Sequence, residues 1–142
     1  MKDSNLKLDN QLCFRLYAAS REIIKRYKPI LDEHNITYTQ YLTMMVMWEE
    51  EKISVKGIGK KLHLDSGTLT PLIKKLEKME LVKKYRDPKD DRVVIVELTK
   101  KGRNLKVDME NVPMKAFCSI GISQHEAIKL KDELDYILEM LN

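Results

Sequence analysis

Residues 54–98 read SVKGIGKKLHLDSGTLTPLIKKLEKMELVKKYRDPKDDRVVIVEL, and this stretch decides the fold. A short amphipathic segment over 54–62 precedes a turn at 63–65, and a second helical segment covers 66–81. Two strand-like runs at 82–86 and 93–98 flank a polar turn at 87–92. A helix pair followed by a basic hairpin is the order of elements in a winged helix-turn-helix, in which one helix enters the major groove of DNA.

The positive charge of the chain is concentrated in this stretch. The 142 residues carry 26 Lys and Arg against 22 Asp and Glu, a net charge of +4. Between residues 54 and 92 there are eleven basic residues against six acidic ones, whereas the rest of the chain has fifteen against sixteen. A basic module of this kind suits phosphate neutralisation, although a solvated lysine face on any helical protein gives a similar count.

Helical segments flank the module on both sides. From Leu8 to Leu31 apolar residues recur every three or four positions, which predicts one long amphipathic helix. Residues 37–50 predict a second helix, and 99–110 and 123–141 predict two more. The inward face of the helix over 37–50 is predicted to carry Tyr38, Tyr41, Leu42, Met45 and Trp48.

These segments predict a mostly α protein with a small β-hairpin wing, folded as a single domain over 1–142. The DNA-binding module spans about 53–98, and the helices at about 6–33 and 99–142 are predicted to form a homodimer. A two-fold dimer places two reading helices about one helical turn of DNA apart, which suits a palindromic duplex site.

Several classes of protein are disfavoured by what the sequence lacks. No apolar run approaches the roughly 18 residues of a membrane span, and the first residues lack the apolar core of a signal peptide. Cys13 and Cys118 lie far apart and form no metal-binding pattern with histidine. We therefore expect a cytoplasmic protein with reduced thiols, without a metal or other cofactor and without a membrane partner.

The second helix of the module separates an apolar from a polar face. Leu69, Leu72 and Ile73 begin an i, i+3, i+4, i+7 pattern that Leu76 completes, so this face is predicted to be buried. The opposite face carries the candidate DNA contacts Ser66, Thr68, Thr70, Lys74 and Lys75. Pro71 implies either that the helix begins near Thr68 or that it bends at the proline.

The predicted wing carries two arginines, Arg86 and Arg92, on either side of its turn. An arginine at the tip of a hairpin suits the narrow minor groove of A·T-rich DNA. Asp90 is placed to hold Arg92 by a charge-assisted pair. The alternative is that Asp90 and Arg92 only stabilise the turn.

Local sequence gives no reason to expect a reactive Cys13. The residues three or four positions away are Asp9, Asn10, Leu16 and Tyr17, and none of them is basic. From the residues alone, a small buried hydrophobic side chain is the default role of Cys13.

Four segments nevertheless resemble the organic hydroperoxide resistance regulators of the MarR family. They are QLCFRLYAASREIIKRYKP at 11–29, ITYTQYL at 36–42, LDSGTLTPLIKKLE at 64–77 and DPKDDRVVIVELTKKG at 87–102. Such proteins are dimeric winged-helix repressors that sense organic peroxides through a cysteine. The resemblance implies a regulator that is not an enzyme. The wing arginines and the two-fold symmetry of a dimer predict that its DNA site is an A·T-rich inverted repeat.

The resemblance also implies roles for individual residues. Cys13 matches the peroxide-reactive thiol, Tyr27 and Tyr38 match tyrosines that reach it from the partner subunit, and Tyr17 matches a further tyrosine of the pocket. Cys118 matches the second cysteine of a two-cysteine type, in which it forms an intersubunit disulfide with the oxidised Cys13. An inert core position remains the alternative role for Cys118.

Three other functions are compatible with parts of the pattern. A regulator of the same fold can respond to a phenolic or other small ligand, with incidental cysteines. A non-redox DNA-binding dimer needs no sensor at all. A thiol peroxidase is disfavoured, because no base or arginine lies three or four residues from Cys13 and because a wing is present.

Overall fold

The structure, a computed structural model, describes residues 2–142 and contains seven α-helices and three β-strands within them. Two short 3₁₀ helices come first, Lys2–Leu6 and Leu8–Asn10. The elements that follow are α1 (Leu12–Asp32), α2 (Tyr38–Glu50), β1 (Lys52–Ser54), α3 (Val55–Leu62), α4 (Ser66–Lys78), β2 (Val82–Asp87), β3 (Asp90–Leu98), α5 (Lys100–Asp108), α6 (Val112–Ile120) and α7 (Gln124–Leu141). The predicted fold class, mostly α with a β wing, is confirmed.

The chain divides into two compact units. The central unit is Tyr27–Val112, and the terminal unit consists of the residues up to Arg26 together with Pro113–Asn142. The predicted DNA-binding module at 53–98 lies entirely within the central unit. The single domain expected over 1–142 remains a prediction.

Side-chain caps fix where the two helices of the helix-turn-helix begin. The Ser54 hydroxyl accepts a hydrogen bond from the backbone N–H of Gly57 at 3.0 Å, at the start of α3. The Asp65 carboxylate accepts one from the N–H of Thr68 at 2.8 Å, at the start of α4. Each cap satisfies an N–H that has no partner within its helix and contributes about 1 kcal/mol.

The turn between α3 and α4 depends on one glycine and one left-handed residue. His63 ends α3 with φ 56° and ψ 41°. A Cβ at Gly59 would lie 2.7 Å from the Leu64 carbonyl oxygen and 2.9 Å from Cδ1 of Leu69. Only a residue without a side chain allows this approach, so Gly59 determines how closely α3 and α4 pack.

The wing belongs to a three-stranded antiparallel sheet in the order β1-β3-β2. Val96 on the central strand pairs with Ile53 of β1 on one side and with Lys84 of β2 on the other. The register shifts between Arg86 and Asp87, next to the tip of the hairpin. The two wing strands were predicted, whereas the three-residue strand β1 was not.

A continuous apolar core lies inside the central unit. It is formed by Leu31, Ile36, Tyr41, Met44, Val46, Met47, Ile58, Leu69, Leu72, Ile73, Leu76, Leu81, Val82, Val96, Leu98, Met109 and Val112. All four residues predicted for the buried face of α4 are among them, which confirms that prediction. Their burial fixes the opposite face of α4 toward solvent.

Two expectations about helix limits are wrong. Helix α1 begins at Leu12 rather than Leu8, because the chain is extended at Gln11 (φ −97°, ψ 115°) after the second 3₁₀ helix. The side-chain amide of Gln11 donates hydrogen bonds to the backbone carbonyl oxygens of Asn5 and Lys7, which stabilises this interruption of the helix. Helix α4 ends at Lys78 instead of continuing to residue 81.

The predicted inward position of Met45 is also wrong, since its side chain is 39% exposed. The buried residues of α2 include Tyr41, Met44 and Met47, at spacings of three. Gln40, Thr43 and Val46 are buried as well, so the buried face is wide, and at 100° per residue Met45 falls about 40° beyond Tyr41, outside its edge.

Pro71 lies inside α4, which begins at Ser66, so the alternative of a start near Thr68 is excluded. Proline lacks an N–H, and the carbonyl of Gly67 therefore receives no helical bond from position 71.

Helix α6 begins at Val112 and carries Pro113 in its first turn, where proline is tolerated. A capping box starts α7. Ser123 Oγ accepts from the N–H of Glu126 at 3.1 Å, and the Glu126 carboxylate accepts from the N–H of Ser123 at 3.1 Å.

Most apolar side chains of the terminal unit remain on its surface. Among its described residues, Ala116 is the one fully buried apolar residue. The exposed large apolar side chains are Leu6, Leu8, Leu12, Tyr17, Ile24, Met114, Ile128, Leu130, Tyr136, Leu138, Met140 and Leu141. No helix in the described part of the chain is both long enough and apolar enough to cross a membrane.

Candidate nucleic-acid interface and thiol site

The face of α4 opposite the core presents every residue predicted to contact DNA there. Ser66, Thr68, Thr70, Lys74 and Lys75 are all exposed. Within residues 2–142 no carboxylate forms an ion pair with Lys74 or Lys75, whereas Lys61 and Lys83 do have such pairs. The ammonium groups of these two lysines are therefore available to pair with an anion of another molecule.

The first turn of α4 is open to close approach. The Thr70 hydroxyl donates to the Ser66 carbonyl oxygen at 2.8 Å, so this hydroxyl has its proton engaged and can accept from a ligand. A Cβ added at Gly67 would meet only the Asp65 carboxylate, at 3.4 Å, which is an ordinary contact. The fold therefore does not require glycine at position 67, in contrast to position 59.

Arg92 is held at the wing by three hydrogen bonds to Asp90. Its Nε and Nη2 donate to the two carboxylate oxygens, each at 3.0 Å, and the backbone N–H of Arg92 donates to the same carboxylate at 3.1 Å. The pair with Arg92 holds the pKa of Asp90 below its usual range. The Arg92 side chain is 87% exposed, so the pair orients a guanidinium that still faces solvent.

The rest of the wing tip is fixed by backbone contacts. Arg86 Nη1 donates to the Asp91 carbonyl oxygen at 2.7 Å. The Asp87 carboxylate accepts from the N–H of Lys89 at 3.0 Å and closes the turn. Arg86 is thus engaged with the hairpin itself, while Arg92 projects from it.

Both cysteines lie in the terminal unit, and both are exposed free thiols. Cys13 is the second residue of α1, and Cys118 lies in the last turn of α6. The expectation of a buried hydrophobic Cys13 is wrong for the single chain, and so is the core alternative for Cys118. In both cases the neighbouring residue is the more buried one, Phe14 beside Cys13 and Phe117 beside Cys118.

Tyr17, one helical turn after Cys13, contacts a basic residue that the sequence reasoning missed. Arg21 Nη1 donates to the Tyr17 hydroxyl oxygen at 3.1 Å, and the guanidinium carbon lies 5.3 Å from the centre of the ring. The contact could have been predicted from the sequence, because residues 17 and 21 have the i, i+4 spacing of neighbours on one helix face.

The other two predicted sensor tyrosines lie in the central unit and contact each other. The rings of Tyr27 and Tyr38 meet edge to face with centroids 4.9 Å apart. Tyr41, which was not assigned to the site, lies 6.0 Å from Tyr27 and 6.3 Å from Tyr38. Burial raises the pKa of all three phenols, that of Tyr41 to about 12. These side chains are therefore neutral hydrogen-bond donors at physiological pH.

Among the described residues, no three or more His, Cys, Asp or Glu side chains come together in a group that could hold a metal ion.

Comparisons with known proteins match almost the whole chain. The family described as "Transcriptional regulator SarA/Rot" matches residues 25–109. The organic hydroperoxide resistance transcriptional regulator of Bacillus subtilis (strain 168) is 44% identical over 141 residues, which are 99% of this chain and 96% of that protein.

Two solved structures of AbfR from Staphylococcus epidermidis are similar in fold. Reduced AbfR bound to DNA is 35% identical, with a TM-score of 0.80 and coverage of 99% of each chain. Disulfide-formed AbfR is 36% identical, with a TM-score of 0.65 and coverage of 97% of each chain.

Proposed function

Because this chain belongs to the MarR/SarA family of winged-helix transcription regulators, we propose that it is a homodimeric repressor that releases DNA when organic hydroperoxide oxidises Cys13. It is a DNA-binding regulator of transcription and not an enzyme. The single observation that carries the proposal is that Cys13 is a free thiol within an uncovered apolar surface of the terminal unit.

The apolar surface supports a homodimer. The terminal unit keeps one fully buried apolar residue, Ala116, among its described residues, while Leu12 on α1 is 68% exposed and Ile128 on α7 is 53% exposed. Burial of apolar area contributes roughly 25 cal/mol per Å², so a second copy of the same surface gains stability by covering it. A partner of this kind encloses the region around Cys13.

The DNA target follows from the exposed face of α4 and from the wing. In each subunit α4 enters the major groove, where Ser66, Thr68 and Thr70 approach base edges and Lys74 and Lys75 neutralise phosphates. Arg92 enters the adjacent minor groove, which is most negative in A·T-rich DNA. Two subunits thus read an A·T-rich inverted repeat in the cytoplasm.

The redox step uses the two cysteines of the terminal unit. The Cys13 thiolate attacks an oxygen of ROOH, the O–O bond breaks, and with one proton taken up from water the products are Cys13 sulfenic acid and ROH. The thiol of the partner subunit's Cys118 then attacks the Cys13 sulfur, and water leaves as the disulfide forms. Both cysteines lie on the surface of the single chain, so each is available to the partner subunit that packs there.

The tyrosine cluster supplies donors for the sulfur of the other subunit. Tyr27 and Tyr38 keep their protons, since burial raises their pKa values. A neutral phenol donates a hydrogen bond to a thiolate or sulfenate oxygen. We assign this role to the tyrosines of the subunit opposite the reacting Cys13.

Disulfide formation releases DNA by changing the spacing of the two reading helices. Each cross-link constrains α1 of one subunit against α6 of the other, and these helices belong to the proposed dimer surface. A displacement of a few ångströms breaks the match to half-sites about 34 Å apart.

The proposal is tested by fluorescence anisotropy on a labelled A·T-rich inverted repeat, before and after cumene hydroperoxide. We expect the wild-type dissociation constant to rise at least tenfold and a thiol reductant to restore it. The Cys13→Ser variant should bind with wild-type affinity before and after peroxide. Wild-type binding that is indifferent to peroxide would contradict the redox mechanism and leave a ligand-responsive or constitutive regulator.

A further inference from the structure

We propose that Arg21 is a positioning residue that acts through Tyr17 on the sulfur of Cys13, an inference that rests on the proposed function of this thiol. Arg21 makes two contacts with Tyr17, a hydrogen bond of 3.1 Å to the hydroxyl oxygen and a cation–π contact at 5.3 Å from the ring centre. These contacts fix both the position of the ring and the direction of its hydroxyl group.

Helix geometry places the three residues in one row on α1. Positions 13, 17 and 21 are spaced by four residues, about 6 Å of axial rise for each step, and all lie in the terminal unit. Helical side chains lean toward the N-terminus, so each covers the turn before its own Cα. Arg21 follows this rule by reaching Tyr17, and the same rule directs the Tyr17 side chain toward the turn that holds Cys13.

The donor and acceptor capacities of these groups determine which of them donates each hydrogen bond along α1. A guanidinium only donates, so the Tyr17 oxygen acts as the acceptor in its bond with Arg21. The Tyr17 O–H consequently remains a donor for a group other than Arg21. A donor whose oxygen already accepts a charge-assisted bond is polarised and becomes a stronger donor, and a thiolate is an anionic acceptor.

A purely structural role explains the pair less well. Both side chains are exposed in the chain, Tyr17 by 59%, so their contact buries little area. Exposed i, i+4 pairs on a helix contribute little to folding stability. The contact is better suited to setting the properties of a neighbouring group than to holding the helix.

The test measures how fast Cys13 reacts with iodoacetamide as a function of pH, in full-length protein carrying Cys118→Ser so that Cys13 is the one reporting thiol. In Arg21→Met, we expect the pH of half-maximal rate to rise by about half a unit, which makes the reaction about threefold slower below that pH. Arg21→Lys should restore most of the rate, since lysine also donates and also carries charge. Arg26→Met, which removes a charge from an exposed position elsewhere on α1, should leave the profile unchanged.

A double-mutant cycle with Tyr17→Phe tests whether Arg21 acts through the phenol. We expect Arg21→Met to have no further effect in the Tyr17→Phe background. An equal shift in both backgrounds, or no shift in either, would overturn the proposal. Because iodoacetamide reports the thiol without peroxide, failure of wild-type Cys13 to react with cumene hydroperoxide would refute the proposed function separately.

Discussion

At the scale of single residues, the predicted DNA-binding surface combines Arg92, which Asp90 orients, with α4 lysines that remain available to bind phosphate. Asp90 orients Arg92 through both carboxylate oxygens while the guanidinium stays exposed. Lys74 and Lys75 form no ion pair in the described part of the chain, so they can bind phosphate without first breaking one. Because Asp90 already orients Arg92, the wing loses little conformational entropy when it binds DNA.

Arg92→Ala should weaken binding to the A·T-rich repeat by roughly 5- to 100-fold, because the minor groove loses its cation. The slope of log K against log salt should fall by about 1 for each phosphate that is no longer neutralised. Asp90→Asn should have a smaller effect, because Arg92 keeps its charge and loses only its orientation. Lys131→Ala, which removes an exposed cation from α7, is the matched control. Equal losses of affinity in Arg92→Ala and Lys131→Ala would show that only net charge matters.

The tyrosine cluster makes stability depend on pH in the alkaline range. Unfolded tyrosine ionises near 10, while burial raises the pKa of Tyr27, Tyr38 and Tyr41, the last to about 12. A raised pKa means that the stability is fully present below 10 and is lost as the pH rises from 10 through 12. Urea unfolding at increasing pH should show this decline.

Tyrosinate absorbance followed in the native protein provides the matching measurement. We expect a late phase near pH 12 that disappears in Tyr41→Phe. Ionisation of all six tyrosines in one step near 10 would contradict the buried cluster.

At the scale of elements, local patterns predicted most of the structure. The spacing of Leu69, Leu72, Ile73 and Leu76 predicted α4, and the patterns over 99–110 and 123–141 predicted α5 and α7, because each pattern depends on near neighbours. Strand β1 could not be predicted because its three residues are ordered by pairing with β3, more than forty residues away. The contact between Tyr17 and Arg21 was not predicted, because Arg21 lies eight positions from Cys13, beyond the neighbours one helical turn from the thiol.

Two glycines of the helix-turn-helix should respond differently to alanine. Gly59→Ala should lower the free energy of unfolding by about 1–3 kcal/mol, because its Cβ would lie 2.7 Å from a backbone oxygen. Gly67→Ala should fold at least as well, since helix propensity favours alanine, yet bind DNA more weakly because the methyl group lies on the reading face. Chemical unfolding and anisotropy distinguish the two effects, and DNA affinity unchanged in Gly67→Ala would contradict the assigned face.

At the scale of the whole molecule, the distribution of apolar residues connects folding with regulation. The central unit contains a complete core, and the terminal unit exposes its apolar side chains together with both cysteines. In the function proposed above, the dimer surface is thus also the place of oxidation. Under that proposal, DNA affinity responds to peroxide because the dimer contacts set the distance between the two α4 helices.

Charges placed on this surface should separate the subunits. Leu12→Glu on α1 and Ile128→Glu on α7 each put a carboxylate where an apolar group is exposed, and we expect monomers that bind the inverted repeat at least tenfold more weakly. Gln124→Glu adds the same charge to α7 without removing an apolar group and should remain dimeric. Sedimentation equilibrium measures the outcome, and a monomeric wild-type protein would contradict the dimer.

The most direct test uses a mixed dimer of a Cys13→Ser chain and a Cys118→Ser chain, co-expressed with two different tags. In this dimer a disulfide between Cys13 and Cys118 can form only across the subunits. We predict that cumene hydroperoxide produces a cross-linked dimer on a non-reducing gel, that DNA affinity falls at least tenfold, and that a thiol reductant reverses both. Cross-linking without loss of affinity, or unchanged thiols with DNA still bound, would contradict the account.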